Sequence, residues 1–276
     1  MDEVLERARG LVDRYEQHVR SLLPADAALF DAHVHVGRDI DGMVSPLDEL
    51  STFLRRAGVE RAFAFCMDEP DREPAFRAAN DRTLAAAERS EGLVVPFVRL
   101  DLGEQPIEEA TRCLDLGARG IKLHPRAQNF SLDSPAARDL FAQAASDGLP
   151  VLVHTGFGMG PVSDTVADLA KAMPDLQLIL AHSTFIDMPR AAAVLAPYPN
   201  VYFETSVVQA YDLFAVLDTI DPARVLYGSD LPYASSGNSL RDLAVIASVA
   251  GIDKAHYAGL FGGNLLSLLA GTAMAR

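Results

Sequence analysis

At 276 residues, 49% of them hydrophobic, the chain can bury a large core, and 24 basic against 38 acidic residues give it a net charge of −14. That excess of negative charge disfavours nucleic acid and anionic membrane as partners and leaves a small-molecule substrate as the expected one. Its two cysteines, Cys66 and Cys113, lie far apart without paired spacing, which suits a reducing, cytoplasmic compartment rather than a disulfide framework or a redox pair. The first 25 residues carry charge throughout, with no unbroken apolar stretch of the kind a secretory signal needs. Leu5, Ala8, Val12, Tyr15, Val19 and Leu22 fall there at helical spacing and predict an amphipathic N-terminal helix packed over one end of the molecule. His18 on that helix reads as a surface histidine. No stretch is long and apolar enough to span a membrane.

From residue 29 onward the chain alternates. Short apolar, β-branched runs occur at 29–35, 61–67, 93–100, 120–124, 150–154, 178–182, 201–205 and 225–230. Between them lie stretches of helical period such as 47–57, 76–90, 107–116 and 136–147, several closed by a turn such as Ala57-Gly58-Val59 or Leu116-Gly117-Ala118. Strand and helix alternating eight times, at roughly thirty-residue spacing, predict a (β/α)8 TIM barrel of the usual size of about 250 residues. A doubly wound open sheet is the alternative, but no glycine-rich phosphate fingerprint follows the first strand. Without low-complexity segments or linkers, the expectation is one domain over 1–276, with 1–25 as a helical extension.

The first strand carries His33 and His35 in Asp31-Ala32-His33-Val34-His35. Alternate strand residues share a face, so the two imidazoles converge, while Phe30, Ala32, Val34 and Val36 are expected on the other face. Neutral imidazole suits zinc or a similar divalent ion, although the pair alone leaves ordinary buried or surface histidines open. What recurs decides between them. Of seven histidines, five stand at or next to the C-terminal end of an expected strand: His33, His35, His124, His154 and His182. The last strand ends in Asp230. In a parallel barrel these ends share the face that carries active sites. Lys122 shares strand parity with His124.

These stretches resemble the amidohydrolase superfamily of metal-dependent hydrolases, and within it the amidohydrolase-related branch that also contains non-oxidative decarboxylases. The resemblance rests on Asp31-Ala32-His33-Val34-His35, Gly120-Ile121-Lys122-Leu123-His124-Pro125, Pro150-Val151-Leu152-Val153-His154-Thr155-Gly156, Leu180-Ala181-His182-Ser183 and Tyr227-Gly228-Ser229-Asp230-Leu231-Pro232, supported by 199–206 and Gly263-Asn264-Leu265. Ser183-Thr184 stands where the family commonly has a glycine-containing turn. The resemblance implies His33, His35, His154 and Asp230 as ligands of one divalent ion, zinc before manganese. Asp230 would also accept the proton of a metal-activated water, and His182 would polarise the substrate carbonyl or protonate the leaving group. Lys122, His124 and Arg126 are candidates for substrate contact or, for Lys122 carboxylated on its amine, for bridging a second ion, which is the less favoured outcome. Glu204 reads as a hydrogen-bonding residue of the barrel or rim rather than a ligand. The loops 37–46 and 156–161 can fold over the site, with Phe157 and Met159 as apolar lid surface.

The reaction implied is hydrolysis of an amide, ester or lactone in a small molecule. Decarboxylation of an aromatic or unsaturated carboxylic acid is the alternative, favoured by a carboxylate grip through Arg126 or Lys122 and disfavoured by the intact His-x-His pair. A catalytically silent ligand-binding barrel is the alternative of a different class. A homodimer is compatible with the sequence.

Overall fold

The computed structural model describes residues 2–25 and 27–274; the ends of the expected 1–276 span lie outside them. Nine strands form one sheet: β1 (Leu29–Arg38), β2 (Val44–Ser45), β3 (Val59–Cys66), β4 (Val94–Arg99), β5 (Gly120–Leu123), β6 (Val151–His154), β7 (Leu178–Ala181), β8 (Val201–Glu204) and β9 (Val225–Leu226). Their order is β2-β1-β3-β4-β5-β6-β7-β8-β9, parallel throughout except for the β1–β2 pair. The sheet curls, and the segment that follows its last strand meets β1. Ala32 N–H donates to Tyr227 O, Asp230 N–H to His33 O and His35 N–H to Leu231 O, each at 2.8 Å.

The expected strands match these to within a few residues, except at the end. The run 225–230 forms a ladder only over Val225–Leu226, and residues 227–231 instead bond to β1 from an irregular backbone with Asp230 at φ 60°. Strand β2 was not expected; it pairs Ser45 with Gly37 and Val44 with Arg38. Expected helices recur as α2 (Leu47–Ala57), α3 (Arg77–Arg89), α4 (Pro106–Asp115) and α5 (Pro135–Ser146), after α1 (Asp2–Leu22). Their ends obey local chemistry. Gly58, at φ 84°, takes the left-handed conformation that closes α2, and Ser134 caps α5 by accepting from Ala137 N–H, with Pro135 in the first turn. Further helices α6 (Ser163–Ala172), α7 (Met188–Leu195), α8 (Ala210–Thr219), α9 (Ser236–Val249), α10 (Lys254–Ala258) and α11 (Asn264–Met274) follow β6 to β9. No helix among the described residues is long and apolar enough to cross a membrane.

Two apolar layers hold the sheet. One lies between strands and helices and includes Val34, Val36, Ala62, Ala64, Ile121, Leu123 and Leu180. The other fills the concave side: Phe30, Phe63, Phe65, Phe97, Leu152, Ile179 and Leu226, floored by Leu265 and Leu268 of α11. Phe63 stacks on Phe97 at 4.2 Å and meets Phe30 edge-on at 5.0 Å. Each ring so buried contributes about 1.5–3 kcal/mol. The N-terminal helix packs only through its C-terminal half. Val19 is buried and Tyr15 donates to Asn238 Oδ1 at 2.7 Å, but Leu5 and Val12 are exposed, so the expected apolar stripe is covered over its last two turns alone.

Candidate metal centre and active site

Strand β1 builds the centre with a bulge. Asp31 pairs with Ala62 and Val34 with Ala64, so three steps on β1 oppose two on β3. The extra residue resets the alternation. His33 and His35 both face the concave side, 5.2 and 4.6 Å from the Phe65 ring, together with Phe30 and Ala32. The expectation that Phe30 and Ala32 share the opposite face with Val34 and Val36 is therefore corrected, since only the two valines lie there.

Asp31 then ties this strand to the far end of the sheet. Its Oδ1 accepts from His33 N–H at 2.9 Å and from Ser229 N–H at 3.0 Å. Together with the backbone bonds from Asp230 and His35, this fixes the Asp230 turn beside both imidazoles. Asp230 Oδ1 lies 3.2 Å from His33 Nε2 and 3.1 Å from His35 Nε2. On the other side of the His33 ring, Nδ1–H donates to Glu204 Oε2 at 2.8 Å. Glu204 also accepts from Ser206 Oγ–H at 2.8 Å, from His182 N–H at 3.2 Å and, through Oε1, from Ser206 N–H. Gly228 gives this carboxylate its space, because a Cβ there would overlap Glu204 Oε1.

With Glu204 ionised, these bonds place the His33 proton on Nδ1. With the proton on Nδ1, its Nε2 presents a lone pair to a carboxylate oxygen 3.2 Å away. A shared cation relieves the repulsion of two acceptors so close. Lys122 Nζ supplies one, donating to His33 Nε2 at 3.2 Å, and a divalent ion fits the same donor set. The ligand atoms of His33, His35 and Asp230 all lie within 4.8 Å of one another, as do those of His33, His182 and Glu204. Electrostatics agree. Burial first, then the Lys122 and His182 charges, holds His33 well below its ordinary value, and burial likewise lowers His35. Burial works against the Asp230 carboxylate, but the His35 hydrogen bond and the charges of His182, His35 and Lys122 hold it below its ordinary value. Neutral imidazoles beside an ionised carboxylate are what metal ligation needs. Burial pushes Glu204 up to about 8, and a divalent charge beside His33 would oppose that push.

The other expected residues gather around this core. His154 ends β6 with Nδ1 3.2 Å from His182 Nε2, while its Nε2–H donates to Phe157 O at 3.1 Å. It is thus one ring removed from the His33–His35–Asp230 cluster. His182 opens a tight turn whose three residues, His182, Ser183 and Thr184, all have positive φ, between 48° and 62°. This is where the family resemblance expects glycine, and the left-handed backbone gives the reason. Burial lowers His154 to about 3 and His182 to about 4. His124 follows β5 directly and stacks on His154 with ring centroids 3.8 Å apart. Lys122 is fully buried, its ammonium 4.6 Å from the Phe65 ring centre, and burial lowers it to about 7. Arg126 is exposed at the mouth, its guanidinium against Gly158 of the 156–161 loop.

All eight expected site residues line one cavity of about 580 Å³, within the range of small-molecule sites. Asp39, Ile40 and Asp41 from the 37–46 loop border it, as does Phe157, whereas Met159 does not. Two residues of this surroundings escaped the sequence reading. Asp31 carries its signal as the motif residue two before His33. Arg99 carries a weaker one: it ends β4 with the parity of Val95 and Phe97, both in the concave layer.

The chain is similar in fold to several solved structures, each under a fifth identical to it. An uncharacterised TIM-barrel protein from Bordetella bronchiseptica aligns at 18% identity over 97% of this chain and 93% of that one, with a TM-score of 0.67. A 2,6-dihydroxybenzoate decarboxylase from Rhizobium aligns at 17% identity over 88% and 98%, with a TM-score of 0.68. A zinc-bound amidohydrolase from Burkholderia multivorans aligns at 18% identity over 88% and 99%, also with a TM-score of 0.68. No curated protein is significantly similar to the chain in sequence. The amidohydrolase family profile, Amidohydro_2, matches residues 30–267, a span that takes in all the residues of the candidate site, and the chain belongs to that family.

Proposed function

We propose that this protein is a metal-dependent hydrolase on a (β/α)8 barrel, acting on an amide, ester or lactone carbonyl of a small molecule. The observation that carries the reading is the convergence of His33 Nε2 and His35 Nε2 on one oxygen of Asp230, at 3.2 and 3.1 Å. The eight parallel strands in sequential order, with backbone bonds between the first strand and residues 227–231 that follow the last, support the barrel. His33, His35 and Asp230 would hold the ion, with His154 the remaining candidate ligand; zinc suits these donors best and manganese is the alternative. When bound there, the ion supplies Lewis acidity, polarising the substrate carbonyl and making water more acidic.

The chain's own groups do the rest. Glu204 holds the His33 proton on Nδ1 and keeps Nε2 free. Asp230, ionised and at the cavity wall, accepts the proton of the attacking water. His182, kept neutral by burial and with its Nδ1–H donating to Ser206 O at 3.2 Å, presents Nε2 as a lone pair, so it polarises the substrate carbonyl or protonates the leaving group only after taking a proton on Nε2. Lys122 bonds the same His33 Nε2 lone pair that the ion would take, so its amine would have to leave His33 when the ion binds, and one ion is the reading.

Decarboxylation is the second reading, favoured by the buried Lys122 amine, a cationic partner for a carboxylate inside the cavity. The test supplies zinc-loaded protein with panels of aryl esters, lactones and amides in ¹⁸O-water, and with aromatic carboxylic acids. Hydrolysis puts ¹⁸O into the acid product. Release of carbon dioxide from the acids, with no turnover of the first panel, overturns the hydrolase reading in favour of the second.

A further inference from the structure

We propose that Arg99 anchors a substrate carboxylate, so that the cavity takes an anionic, carboxylate-bearing small molecule; this rests on reading the cavity as the substrate site. Arg99 is 3% exposed, yet its Nε and Nη2 are buried without hydrogen-bond partners. A buried guanidinium with idle donors is costly unless something arrives to fill them. The nearest carboxylate, Asp68, stands 3.8 Å from Nη2, beyond hydrogen-bond reach, and its Oδ1 is already taken by Arg72. Arg99 lines the cavity that holds His33, His35 and Asp230.

The residue is held in place from behind. Its N–H donates to Asn80 Oδ1 at 3.0 Å, its carbonyl accepts from Asn80 Nδ2–H at 2.9 Å, and the same Nδ2 donates to Glu109 Oε1 at 3.1 Å. The guanidinium lies over the Phe76 ring, 4.7 Å from its centre. A planar fork fixed at backbone and face, with two donors idle, matches a carboxylate bidentately. Arg99 is in register with Lys122 on the neighbouring strand, and Lys122 touches His33. Arg99 stands two strands from β1, so an acid held by it lies to one side of the metal centre rather than on it.

The test titrates full-length protein, metal-free and zinc-loaded, with benzoate and succinate and with their amides, using wild type, Arg99→Met and Arg99→Lys. The acids bind wild type in preference to the amides with or without zinc, and Arg99→Met weakens them roughly tenfold or more. Arg99→Lys, which keeps the charge without the fork, falls between. Zinc content stays unchanged, and Arg99→Met melts no lower than wild type, because it removes a buried charge with idle donors. Equal binding of acids and amides by wild type, undiminished acid binding by Arg99→Met or, should that variant not fold, by Arg99→Lys, or acid binding only in the presence of zinc, overturns the proposal. A protein that takes up no metal but binds acids through Arg99 overturns the metallohydrolase reading and leaves this one standing.

Discussion

Replacing Glu204 by glutamine keeps shape and volume but removes the negative charge behind the His33 ring and one of two acceptor oxygens. Glu204 Oε2 accepts from His33 Nδ1–H and Ser206 Oγ–H at 2.8 Å and from His182 N–H at 3.2 Å, and Oε1 accepts from Ser206 N–H. Glutamine has one acceptor oxygen for two places. With that oxygen at the Oε2 position, the amide NH2 meets the Ser206 N–H; reversed, it meets the protons of His33 and His182. One unpaired buried donor costs about 1–3 kcal/mol, so the first orientation is the cheaper. In the first, the amide oxygen still accepts from His33 Nδ1–H, so the tautomer survives and what is lost is the negative charge behind the His33 ring. Loss of such an outer carboxylate weakens metal binding by roughly 10–100-fold. Zinc affinity by competition with a chromophoric chelator, alongside urea unfolding, reads both effects. A folded Glu204→Gln protein with wild-type zinc affinity would refute the assigned role of Glu204.

Gly228→Ala places a methyl group against the Glu204 carboxylate and should destabilise by about 1–3 kcal/mol while weakening zinc binding; wild-type values for both would contradict the close approach. Cys66 is fully buried, which pushes its thiol up to about 12, and burial raises Cys113 too. Iodoacetamide near neutral pH should therefore label neither cysteine in the native protein and both in urea, and native labelling at the rate of a free thiol would contradict this. Glu109 is held below its unfolded value of 4.5, since burial, which raises it, is outweighed by hydrogen bonds from Arg112, Asn80 and Cys113. Its contribution is thus present above that pH and fades as the pH falls through the lower folded value. The stability difference between wild type and Glu109→Gln in urea should shrink on acidification over that window, and a constant or growing difference would contradict the sign.

Much of this architecture is written in local pattern. The alternation of β-branched runs with helical stretches predicted the parallel strands because each run is buried on both faces, and histidines at strand ends converge because parallel strands end together. The β1 bulge was not legible. Period-two reading assumes an unbroken ladder, and the inserted residue shows only in the pairing of Asp31 and Val34 with β3. The short reach of β9 was hidden for a related reason: residues 227–231 look like strand, but they serve β1 through single bonds around the Asp230 turn. Arg99 resembled any charged residue at a strand end, and only burial with idle donors sets it apart. Glu204 reads from sequence as a hydrogen-bonding residue of the barrel or rim, which it is, but its partner His33, 171 positions away, becomes visible only once the sheet has curled.

Metal content of the full-length protein, measured beside the His33→Ala/His35→Ala double variant, tests the central claim most directly. The expected result is about one zinc or manganese per chain in wild type and none in the variant, with both proteins folded. A wild-type protein that stays metal-free after reloading, or a double variant that keeps its ion, would contradict a metal centre built on His33, His35 and Asp230.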